Sequence, residues 1–134
     1  MAEATKEIEI GYQLSSLTKV AAMPEWSGTS SRIHEDSYAK SMGMRGALLG
    51  GSMLYSYLID MVYRFFGDAW FSHGEASVSF IGGGVIPGDK VIMKGIVADK
   101  KPEDSGARLF LDIWMENETT GNRVVVGKAS CLVS

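Results

Sequence analysis

The chain has 134 residues, enough for one domain, and its 46% apolar and 22% charged content is that of a globular protein, not a disordered one. Its 13 basic and 16 acidic residues leave a net charge of −3 with no basic, aromatic-interleaved stripe, which argues against nucleic-acid binding. A single cysteine, Cys131, excludes an internal disulfide and four-cysteine metal patterns.

Residues 1–10 alternate charged and apolar types and show no signal-peptide core. Weak alternation over 11–22 predicts an early strand or extended segment. The stretch 24–32, rich in Ser, Gly and Thr, reads as a loop, and 35–42 as a short helix that Asp36 can cap. Gly46, Gly50 and Gly51 precede the main helix. There Leu54, Leu58, Met61, Val62 and Phe65 recur at spacings of three and four, until Gly67 stops the run. The apolar stretch 47–66 contains Asp60 and Arg64, so it suits a core helix better than a membrane span.

Beyond the helix the period changes to two. Val78 and Phe80 face one way, Ser77 and Ser79 the other. Gly82, Gly83, Gly84, Pro87 and Gly88 form a turn-rich break. Val91, Met93, Gly95 and Val97 begin the next strand, 100–106 is a polar turn, and Leu109, Leu111, Ile113 and Met115 alternate with Phe110, Asp112, Trp114 and Glu116. Residues 117–122 turn again and 123–134 form the last strand, where Cys131 reads as a buried structural thiol in a reduced, cytoplasmic setting. No repeat or linker divides residues 1–134, so they form one domain. An apolar helix must be buried on more than one side. The order of elements therefore predicts an α+β fold, the hot-dog, in which a curved antiparallel sheet wraps one long central helix.

Two groups of residues carry candidate chemistry. His34, in the loop before the helix, is a proton donor and acceptor near neutral pH, or else a surface or capping histidine. His73 reads as structural, opening a strand. Gly50, Gly51 and Ser52 begin the main helix, whose first amides lack intrahelical partners and carry the positive end of the dipole. They offer an oxyanion site for a carbonyl, or simply permit close helix–sheet packing. A Ser52 nucleophile is disfavoured because no G-x-S-x-G elbow is present. A metal at His34, Glu35 and Asp36 is disfavoured because adjacent positions do not converge.

These segments resemble the MaoC-like dehydratases, a family that includes the R-specific enoyl-CoA hydratases. Its pattern S-G-D-x-N-P-I-H-x-D is matched by Ser27-Gly28-Thr29-Ser30-Ser31-Arg32-Ile33-His34-Glu35-Asp36. Ala39, Gly43-Met44 and Leu48-Leu49-Gly50-Gly51 follow it, then Val78-Ser79-Phe80, Val85-Ile86-Pro87-Gly88-Asp89 and Val124-Val125-Val126-Gly127-Lys128-Ala129. The resemblance implies a hydro-lyase acting on an acyl thioester of CoA or a carrier protein, in fatty acid or polyketide metabolism; no metal or redox cofactor is expected, because the sequence lacks the ligand sets for one. His34 falls on the family's acid/base and Gly51 on its carbonyl-binding glycine. Thr29 stands where the family has Asp, Ser31 where it has Asn, and Gly50 where it has His. Thr29 and Ser31 would position water or the substrate hydroxyl. Gly50, Gly51 and Ser52 would bind substrate, with Trp26 and Tyr55 as pocket walls. A threonine hydroxyl cannot serve as a carboxylate base at neutral pH. Two other readings therefore stay open: a thioesterase using Asp36 or Glu35, and a non-catalytic acyl-thioester-binding protein. A homodimer or higher homo-oligomer is expected, because one such sheet leaves an open edge and an incomplete pocket wall.

Overall fold

The computed structural model describes residues 3–22, 40, 45–46 and 48–134. The expected loop at 24–32 and most of the expected helix at 35–42 lie outside them. The main helix, α1, spans Gly51–Phe66 and buries Leu54, Leu58, Met61, Val62, Phe65 and Phe66, the stripe its sequence spacing calls for. Gly67 ends it at φ 72°, a conformation glycine adopts freely, and its N–H donates to the Tyr63 carbonyl at 2.7 Å. The burial is one-sided, contrary to the sequence expectation: Ser52, Tyr55, Ser56 and Arg64 are exposed. Among the described residues, no helix is long and apolar enough to cross a membrane.

A second helix, α2 (Ala69–His73), was not expected. Trp70 stacks on Phe66 with ring centroids 6.0 Å apart, and the Gly74 N–H donates to the Trp70 carbonyl at 2.9 Å. His73 therefore closes a helix; it does not open a strand.

Among the described residues, five strands form one antiparallel sheet: β1 (Leu17–Val20), β2 (Glu75–Phe80), β3 (Lys90–Glu103), β4 (Gly106–Asn117) and β5 (Asn122–Val133). Their order is β1-β3-β4-β5-β2, which leaves β1 and β2 as the edges. The polar stretch expected as a turn at 100–106 continues the β3–β4 ladder to Glu103↔Gly106. This end of the hairpin stands in solvent, where a strand has no need of apolar residues, and Asp104 turns the chain at φ 52°. Val91, Met93, Val97, Leu109, Leu111, Ile113, Met115, Val125, Ala129 and Cys131 join the buried face of α1 in one core. Arg108, Phe110, Asp112, Trp114 and Glu116 alternate with the buried residues of β4 on the opposite face.

Candidate functional site

The N-terminal end of α1 meets the edge strand β2. Gly50 is extended (φ −67°, ψ 154°), and its carbonyl accepts from the Met53 and Leu54 amides at 3.0 and 3.2 Å. The Gly51 and Ser52 amides precede the first helical bond and point out of the helix end. The Phe80 ring lies over Gly51: a Cβ added there would come within 3.0 Å of Phe80 Cζ. The glycine is thus what lets ring and helix end approach so closely. Phe80 follows Ala76 and Val78 on the helix-facing side of β2, yet remains 53% exposed. Tyr55 lies one turn further along α1, also partly exposed. An apolar ring beside outward amides can hold an apolar chain next to a polarised carbonyl.

The loop between β2 and β3 fixes the approach to this helix end. The Leu49 N–H donates to the Val85 carbonyl at 2.8 Å. Gly84, at φ 70°, lies against Leu48, whose Cδ2 would be 2.9 Å from an added Cβ. Arg45 donates twice to Asp89, from Nη1 to Oδ1 at 3.1 Å and from Nη2 to Oδ2 at 2.6 Å. Asp89 Oδ2 also accepts from the Ile86 N–H at 3.0 Å and from Asn117 Nδ2 at 2.8 Å. The carboxylate is buried while the Arg45 end of the pair is 42% exposed. Burial pushes the Asp89 carboxyl upward. The bonds from Arg45, the Ile86 amide and Asn117 outweigh it and hold the group below its ordinary value.

Of the residues singled out in the sequence, Gly50, Gly51, Ser52 and Tyr55 fall together at this end of α1. His34, Thr29, Ser31 and Trp26 lie outside the described residues, as do Glu35 and Asp36. Cys131 is buried; burial raises its thiol pKa, against smaller lowering effects from Arg108 and the Leu132 backbone. Surface hollows also lie elsewhere. One of about 520 Å³ crosses the sheet between Glu75, Asp99, Phe110 and Lys128, and one of about 600 Å³ sits between Ser15, Met61, Arg64 and Asp68.

No family model and no curated protein matches the sequence. Solved structures do match the fold. An unliganded R-hydratase from Pseudomonas aeruginosa superposes with a TM-score of 0.75 at 19% identity, over 95% of this chain and 83% of its own. A MaoC-like dehydratase from Rhodospirillum rubrum reaches 0.75 at 16% identity, over 96% and 94% of the two chains. The chain has the hot-dog fold of these hydratases and dehydratases. A mutant of a fluoroacetyl-CoA-specific thioesterase is less similar, with a TM-score of 0.56 at 9% identity over 94% and 88%.

Two features of this candidate site are not legible in the sequence: the seat of Phe80 on Gly51, and the pairing of Arg45 with Asp89. The Pro87-Gly88-Asp89 turn was the available signal for the second, but nothing local names its partner. Because the folded Asp89 carboxyl sits below its unfolded value of about 3.9, its contribution is fully present above that pH and is lost as pH falls through the folded value. Asp89→Asn should lower the melting temperature by a few degrees near neutrality. The gap to the wild type should narrow below about pH 4. A gap that stays constant down to acid unfolding would show that the charge of Asp89 contributes nothing.

Proposed function

We propose that this hot-dog domain is a divergent member of the MaoC-like dehydratases: a hydro-lyase that adds water to an enoyl thioester of CoA or a carrier protein, or removes it from the hydroxyacyl form. The observation that carries the reading is Gly51. By sequence resemblance it matches the family's carbonyl-binding glycine, and in the fold it opens α1 and lies beneath Phe80. In this reading the Gly51 N–H donates to the thioester oxygen and stabilises the charge that gathers there as the double bond is attacked. The water oxygen bonds to Cβ, the π pair moves toward Cα and the carbonyl, and His34 carries a proton from the water to Cα. Thr29 and Ser31 hold the water, while Phe80 and Tyr55 line the acyl chain. The chemistry uses no metal or redox cofactor, so activity should survive chelation, and a reduced cytoplasmic setting suits it.

Purified protein with crotonyl-CoA tests the reading. Loss of enoyl-thioester absorbance with formation of 3-hydroxybutyryl-CoA supports it. Release of free thiol without hydration would replace it with thioester hydrolysis, and binding without turnover would leave only a carrier or binding role.

The working unit in this proposal is a homodimer. Strand β2 is an edge, and Phe80 and Ile81 at its end are 53% and 42% exposed, which a second copy would cover. Light scattering at micromolar concentration should report twice the chain mass; a monomer would remove the dimer from the proposal.

A further inference from the structure

Arg45 and Asp89 lie 44 residues apart in sequence, yet they form a two-bond ion pair that joins the segment entering α1 to the loop leaving β2. The carboxylate is 3% exposed and has further donors in the Ile86 amide and Asn117, so it cannot swing to meet a displaced partner. Its own backbone is held as well: the Ala21 N–H donates to the Asp89 carbonyl at 2.8 Å. Asp89 is therefore the fixed end and Arg45 the end that is held. Between Arg45 and α1, three contacts carry the same alignment forward: Leu48 against Gly84, the Leu49 N–H on Val85, and Gly51 under Phe80. A planar guanidinium gripping both carboxylate oxygens fixes direction as well as distance, which a lysine ammonium cannot do.

We infer that Arg45 and Asp89 are a positioning pair: they set Leu48, Leu49 and Gly51 against the β2–β3 loop and its flanking strand and thereby fix where the Gly51 amide meets the thioester carbonyl. The inference rests on the proposed acyl-thioester chemistry for its catalytic consequence, but not for its structural one. An amide displaced by a fraction of an ångström still binds substrate and stabilises developing charge less well, so the loss belongs in kcat more than in KM.

The test compares wild type with Arg45→Met and Arg45→Lys by two readouts. With crotonyl-CoA, Arg45→Met is expected to lower kcat roughly tenfold to a hundredfold, with KM changed by less than about threefold, and Arg45→Lys to recover part of the loss. By hydrogen exchange, the amides of Leu49, Met53 and Leu54 should exchange faster in Arg45→Met, while that of Leu111 in β4 stays as protected as in wild type. Where the wild type hydrates crotonyl-CoA, an unchanged kcat in Arg45→Met overturns the inference. If the wild type does not hydrate crotonyl-CoA, the proposed function has failed and exchange alone decides: faster exchange confined to the α1 entry upholds the positioning pair, and unchanged or uniformly faster exchange overturns it.

Discussion

Replacing His34 with alanine is expected to remove turnover of crotonyl-CoA, with kcat falling on the order of a hundredfold to ten-thousandfold and the fold intact. His34 is the only side chain in the motif loop whose reference pKa lies near neutrality, and proton transfer is the step that the Gly51 amide cannot perform. The amide would still bind and polarise the carbonyl, so KM should move little while kcat collapses. Thr29 offers no substitute route, because a hydroxyl neither ionises nor takes up a proton usefully at neutral pH. Steady-state kinetics and a melting curve on the same preparation decide the matter. A folded His34→Ala protein that turns over near the wild-type rate would remove this histidine, and with it the proposed mechanism.

Where sequence reading succeeded, the signal was a repeating geometry. The stripe from Leu54 to Phe65 has the period of a helix packed on one face, and the core of the domain is built on it. The alternation in β4 persists through the strand, one residue toward α1 and the next away. Where the reading missed, the period was too short or the burial too slight. The five residues of α2 make little more than one turn, so no stripe can repeat within them. The tip of the β3–β4 hairpin keeps its ladder while carrying polar residues, since it is wetted on both sides. The site divides in the same way. The glycines at the start of α1 announced themselves by composition, because a helix end open to a ligand or a close neighbour needs them. The Arg45–Asp89 pair could not, since its members meet only once the sheet has brought the β2–β3 loop to the helix. The alternation puts Phe80 on one face with Val78, but that face reaches the candidate site only because β2 ends against Gly51.

Thr29→Asp is expected to raise hydration of crotonyl-CoA on the order of a hundredfold. Position 29 lies five residues before His34, where the MaoC-like pattern has the carboxylate that shares the handling of water with the histidine. In the proposed mechanism the wild-type threonine can hold the water but cannot accept its proton, so His34 serves alone. A second base beside the water lets one group take the proton from oxygen while the other delivers to carbon, and positioned proton transfer of this kind is a large catalytic effect. The gain should appear in kcat, because the carbonyl contact at Gly51 is untouched. The competing outcome has its own signature: a carboxylate placed where the loop packs without a partner would destabilise the protein by about 1–3 kcal/mol, lowering the melting temperature with no gain in rate. Rate and melting temperature must therefore be read on the same variant. A stable Thr29→Asp protein with unchanged hydration would mean that the threonine is not standing in for a lost base; if neither protein hydrates crotonyl-CoA, the acyl-thioester chemistry would have to be sought in hydrolysis or in binding alone.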